Sequence, residues 1–224
     1  MRIDLVFLFD IDGTLVDSVY QHVLAWNEAL ESEGIKLSVW RIHRRVGMSG
    51  GLLADQLLRE TGVEISDERV QRLCAAHESA YIRAANSVRP LPGARELLER
   101  LSRAGVPWAI ATSGRMKTAA VNLAALGVDP ERIPVATRDQ VEHAKPDPDL
   151  FLAAAERLNA PITAAIVVVD SIWDMLAATR CRALGVGLLS GGYGSDELRQ
   201  AGAFRVYDDP ADLLRHIDEV GGRK

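Results

Sequence analysis

Hydrophobic residues along this chain follow two rhythms. Residues 5–10 are a short run in which consecutive positions are apolar before an aspartate closes it, the pattern of a strand buried on both faces of a parallel sheet. Comparable runs recur at 106–114 and 164–171, a shorter one at 183–192, and weaker ones at 133–136 and 204–207. Between them lie helical periods. Residues 92–105 form an amphipathic helix with Gly105 as its C-cap, and residues 147–160 form another, opened by Asp147 as N-cap with Pro148 at the first helical position. Strands alternating with helices at this spacing predict right-handed βαβ crossovers and an α/β fold with a doubly wound parallel sheet.

One interval breaks the alternation. Between Val19 and about Ser87 no strand pattern is present, only helical segments near 18–32, 39–45, 50–60 and 67–86, separated by Gly34, Gly47 and Gly62. A helical module is therefore expected directly after the first strand, with linkers at 16–18 and 88–92. The expected division is an α/β core from residues 1–15 and 90–224 and a helical domain from residues 16–89.

Composition narrows the function classes. The chain has 224 residues, 48% of them hydrophobic, enough for a substantial core, and carries a formal charge of −5. No basic block is present, so a nucleic-acid partner is not expected. An anionic ligand would have to be drawn by local cations or backbone N–H groups, because the overall field opposes it. No apolar run approaches the ~18 residues of a membrane-spanning helix, and the N-terminal run reads as a strand, not a signal peptide. Cys74 and Cys181 lie far apart with neither a CxxC pair nor nearby histidines, which fits a reducing, cytoplasmic location.

In an open α/β sheet, ligands bind outside the carboxyl ends of the strands. Those ends carry Asp10 and Asp12, then Thr112 and Ser113, then Asp170 with Asp174 beyond it, while Lys145 lies in the loop before a helix. Any one of these reads equally well as a turn former, a helix cap or a solvated charge. Their convergence on one edge does not. Carboxylates gathered at one point call for a hard divalent cation with oxygen ligands, such as Mg²⁺, and no Cys/His set suggests zinc. Lys145, Thr112 and the backbone amides of Ser113 and Gly114 remain to hold something negative, and a phosphoryl group fits both halves. Asp10 is then positioned to attack phosphorus, and Asp12 to protonate the leaving oxygen and later deprotonate water.

The order DIDGT (Asp10 to Thr14), ATS ending a strand with Thr112, KPDPDLF with Lys145, and VVVDSIWD with Asp170 and Asp174 resembles the haloacid dehalogenase superfamily of aspartate-nucleophile hydrolases. The helical insert is similar to that family's small α-helical C1 cap, and the chain as a whole looks like its phosphoglycolate phosphatase and β-phosphoglucomutase members. The resemblance implies a Rossmann-like core, Asp10 as nucleophile, Asp12 as acid/base, and Mg²⁺ held by the Asp10 carboxylate, the Asp12 carbonyl and Asp170, with Asp174 farther out or through water. Thr112 and Lys145 would bind the phosphoryl group. Val169 stands where the family usually has glycine.

Within that resemblance, a Mg²⁺-dependent phosphatase acting on a small phosphomonoester, phosphoglycolate-like or a sugar phosphate, is the expected activity. A sugar-phosphate mutase and a catalytically idle binding protein are the alternatives. Asp12 argues against a dehalogenase. Gly50 occupies the position where such mutases carry an arginine for the second phosphate, which favours hydrolysis, and Lys36 is read as an exposed polar residue rather than a Schiff-base lysine. In the helical module, Arg45, Ser49 and His22 are the expected substrate contacts, with His22 placed to reach either substrate or Asp12 and Ser49 also suited to cap the helix that follows it. Trp173 is expected to pack between core and cap. The expected partner is a small phosphorylated metabolite, with no nucleic acid and no membrane, and the chain is expected to be a monomer or weak homodimer.

Overall fold

The computed structural model describes residues 5–64 and 66–221. Six parallel strands form the main sheet: β1 (Val6–Phe9), β4 (Trp108–Ala111), β5 (Val135–Ala136), β6 (Ala165–Val169), β7 (Leu184–Leu188) and β8 (Arg205–Tyr207), in the spatial order β5-β4-β1-β6-β7-β8. β1 is central, with Leu8 registered against Ala109 on one side and Val167 on the other. The chain leaves β1, builds outward through β4 and β5, and returns to the other flank at β6. The carboxyl ends of β1, β4 and β6 therefore meet at the switch point where such sheets bind ligands.

Both faces of the sheet are covered, which explains the uninterrupted apolar run at its centre. Phe7 and Phe9 point into one core with Leu97, Leu101, Leu123 and Leu213, from helices α5 (Ala94–Arg103), α6 (Met116–Leu126) and α10 (Pro210–Arg215). Val6 and Leu8 point into the other with Phe151, Ala154 and Met175, from α7 (Asp149–Arg157) and α8 (Ile172–Arg180). The remaining core helix, α9 (Ser195–Gln200), lies between β7 and β8. On α5, Ala94, Leu97, Leu98 and Leu101 are buried while Glu96, Glu99, Arg100 and Arg103 stay in solvent, the expected amphipathic stripe.

The insert consists of α1 (Val19–Ser32), α2 (Val39–His43), α3 (Gly50–Thr61) and α4 (Asp67–Arg83) and has its own apolar centre, including Trp26, Leu30, Ile42, Leu57, Leu58 and Leu73. Its two connections are not plain linkers. They pair as a short antiparallel ribbon, β2 (Val16–Asp17) with β3 (Arg89–Pro90), a feature too short to leave a periodic signal in the sequence.

One helix start differs from expectation. α7 begins at Asp149, and Pro148 already has helical backbone angles in the cap position, so Asp147 is not the N-cap. Its carboxylate instead accepts a hydrogen bond from Arg180 at 3.0 Å. Among the described residues, no helix is long and apolar enough to cross a membrane.

Candidate active site

β1 ends in the backbone bond from the Asp10 N–H to the Val168 carbonyl (3.1 Å), which fixes where the Asp10 side chain emerges. Lys145 reaches it from the loop before α7: its Nζ lies 2.5 Å from Asp10 Oδ1 and 2.5 Å from Asp174 Oδ1, and the side chain has no solvent exposure. Asp170, at the end of β6, accepts a hydrogen bond from the Thr14 hydroxyl at 2.7 Å, and Asp174 is bonded by Ser171. One carboxylate oxygen from each of Asp10, Asp170 and Asp174 lies within 4.8 Å of the others.

Backbone closes around this cluster. Gly13 has a φ of 77°, and a Cβ there would stand 2.4 Å from Asp170 Oδ2; at Gly191, in the loop after β7, the distance would be 1.9 Å. Only glycine fits at either place. Three buried carboxylates gather around one lysine, which pairs with Asp10 and Asp174, and the excess negative charge shows in the protonation of Asp10 and Asp170. Burial, against the pull of Lys145 and with repulsion from Asp174 and Asp12, raises Asp10 to about 7. Burial followed by repulsion from Asp174 and Asp10 raises Asp170 well above the usual carboxylate range. Lys145 stays charged: burial opposes its ammonium, but Asp10 and Asp174 together outweigh that. This donor set, all oxygen and short of positive charge, fits a divalent cation such as Mg²⁺.

Asp12 is bound differently. Its Oδ1 accepts from Ser18 Oγ (2.5 Å) and Asn122 Nδ2 (2.6 Å), and His22 Nε2 lies 3.0 Å away. Burial alone would raise its pKa, but these partners, His22 foremost, hold it below the ordinary value. Behind them, Tyr81 donates to Asn122 Oδ1 at 2.6 Å, and His22 Nδ1 lies 3.0 Å from His77 Nε2. Burial and the neighbouring His22 keep His77 well below its ordinary range, and Trp26 stacks on its ring. Two carboxylates two residues apart thus sit in opposite electrostatic surroundings.

The third strand end, from Thr112 to Gly114, is a compact turn in which the buried Thr112 Oγ1 accepts from the Gly114 N–H at 3.0 Å. Ser113 donates its hydroxyl to the Gly47 carbonyl of the insert at 3.0 Å, so its backbone N–H, not its side chain, is free for a ligand. Further contacts join the same insert segment to the core. Trp173 Nε1 and Tyr193 OH both donate to the Arg44 carbonyl, at 3.1 and 3.0 Å, and His43 Nε2 lies 2.8 Å from the Gly191 carbonyl. Trp173 packs between the two units as expected.

Between sheet edge and insert lies a cavity of about 970 Å³, and Asp10, Asp12, His22, Ser49, Thr112, Ser113, Gly114 and Asp170 line it. Ser49 is buried at the N-cap position of α3, yet its side chain makes no capping bond. Arg45 is not brought to the cavity: it lies in the turn after α2, and its guanidinium runs along the insert to pair with Glu60 of α3. Asn122, Tyr81 and Gly191 complete the site without having been singled out in the sequence, and Thr14, quoted there within DIDGT, gains its role as the donor to Asp170. Asn122 had a usable signal, a polar residue in register with Ala119, Leu123 and Leu126 on the buried stripe of α6. Gly191, within SGGYG, had none that separates it from an ordinary turn.

Comparison with known proteins agrees with this geometry. A family model described as a hydrolase, haloacid dehalogenase-like hydrolase, matches residues 5–182. Hexitol phosphatase A of Escherichia coli (strain K12) is 31% identical over 182 residues, covering 80% of this chain and 82% of that protein. A phosphoglycolate phosphatase of Caulobacter vibrioides is 29% identical, covering 87% and 83% respectively. Among solved structures, a hydrolase from Pseudomonas syringae is 57% identical and superposes with a TM-score of 0.95 over 96% of this chain and 99% of that one. The chain belongs to the haloacid dehalogenase-like hydrolases.

Proposed function

We propose that this protein is a Mg²⁺-dependent phosphatase that transfers the phosphoryl group of a small phosphomonoester to Asp10 and then to water. The observation that carries this is the division of labour at the end of β1. Asp10 sits among Lys145, Asp170 and Asp174, whereas Asp12 is held apart and ionised by Ser18, His22 and Asn122. A nucleophile needs the first setting and a base needs the second.

Mg²⁺, held by Asp10, the Asp12 carbonyl and Asp170 with Asp174 close by, would supply charge neutralisation for the phosphoryl oxygens. Lys145, the Thr112 hydroxyl and the Ser113 amide bind and orient that group, while the Gly114 amide holds the Thr112 oxygen in place. A carboxylate oxygen of Asp10 attacks phosphorus as the bond to the ester oxygen breaks, and Asp12 gives that oxygen its proton. A dianionic ester placed beside Asp12 favours the protonated form that this step requires. Asp12 then recovers a proton from the attacking water, which releases phosphate and frees Asp10. Residues 16–89 act as a cap that excludes bulk water, over a catalytic core of residues 1–15 and 90–224.

Phosphatase relatives among the matches support hydrolysis, as does Gly50 in place of a cation for a second phosphate. The test is phosphate release from p-nitrophenyl phosphate. Release is expected with Mg²⁺, and is expected to be lost with EDTA and in Asp10→Asn. Release that persists in Asp10→Asn with the metal chelated would overturn the proposal.

A further inference from the structure

The chemistry at the sheet edge accounts for the phosphoryl end of the cavity but not for its other end. At about 970 Å³ the cavity is larger than a two-carbon leaving group requires. Its far wall belongs to the insert and combines apolar surface from Met48, Leu53 and Val70 with the carboxylates of Asp55 on α3 and Glu78 on α4. No lysine or arginine of the insert lines it. The nearby arginines are turned elsewhere, Arg44 to Glu197 and both Arg41 and Arg45 to Glu60. On the core rim, Arg115 is largely exposed and faces Asp139 at 3.8 Å, and Arg138 donates to the Val141 carbonyl.

Glu78 pairs across the mouth of the cavity with Lys117. Among the described residues Asp55 has no hydrogen-bond or ion-pair partner, although it is half-buried and lines the cavity. A carboxylate in that position accepts hydrogen bonds from hydroxyls and repels an anion in partly desolvated surroundings. Trp26 is buried and one face of its indole is stacked on the His77 ring at 4.2 Å, so it presents no exposed ring to a cationic head group. Resting on the phosphatase reading above, we infer that the leaving group is an uncharged polyhydroxyl chain or ring, that esters carrying a carboxylate or second phosphate are disfavoured, and that Asp55 enforces this selection.

The test compares two esters of one six-carbon skeleton, sorbitol 6-phosphate and 6-phosphogluconate, which differ in a hydroxymethyl against a carboxylate at the end remote from the phosphate. The alditol ester is expected to have the higher kcat/KM by about tenfold or more at low ionic strength, and Asp55→Asn is expected to narrow that ratio severalfold by improving the aldonate. Equal or better turnover of the aldonate, or a ratio unchanged in Asp55→Asn, would overturn the inference. So would a clear preference for glucosamine 6-phosphate over sorbitol 6-phosphate, which would point to cation recognition. p-Nitrophenyl phosphate in the same assay separates the two levels. If it is hydrolysed while the ester pair is not distinguished, the selectivity claim fails and the phosphatase reading stands. If it is not hydrolysed, the phosphatase reading fails. Calorimetric Kd values for the two esters with Mg²⁺ then decide selectivity, with tighter alditol binding supporting it and equal binding overturning it.

Discussion

Asp10 and Asp55 line the same cavity from opposite sides and are held there by different means. Asp10 is fixed by a strand end, a backbone bond to β6 and a fully buried lysine, with other carboxylates packed against it. Asp55 stands on a helix of a separate small core, half-exposed and without a partner among the described residues. One side is over-determined, as a preorganised electrostatic site must be, because charge developing in a reaction is stabilised only by groups that need not move. The other side is sparsely bonded and its residues are replaceable without disturbing the sheet. Chemistry can therefore stay constant while the choice of leaving group changes.

Substitutions on the two sides sharpen this contrast. Lys145→Met should have the largest effect: it leaves Asp10 and Asp174 buried without their shared cation, costing about 3–5 kcal/mol in urea unfolding and nearly all turnover. Wild-type-like stability and rate would mean that the sheet edge is not over-determined. In the insert, Leu57→Ala opens the separate core and should cost about 3 kcal/mol, measured the same way. If the cost is below about 1 kcal/mol, the insert lacks a tightly packed core of its own.

Proton linkage gives an effect of comparable size, spread over several pH units. Asp10 has a folded-state pKa raised from 3.8 to about 7, so its contribution to stability is fully present below about pH 4 and is lost as pH rises through 7. Metal-free protein should therefore lose roughly 4 kcal/mol between pH 4 and 8, and Mg²⁺, which favours the ionised form, should flatten that slope. A Tm that is insensitive to pH with EDTA, or equally steep with Mg²⁺, would contradict the donor-set argument. The smallest effect is expected for Arg45→Ala. Its pair with Glu60 is partly exposed and lies away from the cavity, so it should cost under about 1 kcal/mol and leave kcat/KM within about twofold. A tenfold loss of kcat/KM would return Arg45 to the substrate.

What the sequence reveals divides along the same boundary. The double-sided burial of β1 is written in consecutive apolar residues; Asp10, Asp12, Thr112 and Asp170 stand out because polar groups at the ends of buried strands need a reason, and Lys145 and Asp174 through the ordered motifs that hold them. Side-chain direction is not written there. Arg45 and Asp55 are both charged residues on a helical module, and only tertiary packing turns one toward Glu60 and the other toward the cavity. Asp147 illustrates the same limit at short range. Asp-Pro is a strong helix-start signal, yet the partner that Asp147 finds is Arg180, 33 residues on, and the helix starts at Asp149. The bonds of Asn122 and Tyr81 join elements far apart in the chain, so the partner network of Asp12 is visible only once the insert is docked.

The most direct test of the central claim is to quench Asp12→Ala in acid during turnover of p-nitrophenyl phosphate with Mg²⁺ and to locate the phosphoryl group by peptide mass spectrometry. With the hydrolytic base removed and the nucleophile intact, a phosphoryl adduct on Asp10 is expected, and none in Asp10→Asn/Asp12→Ala. Continued turnover without any adduct on Asp10 would contradict covalent transfer through this aspartate.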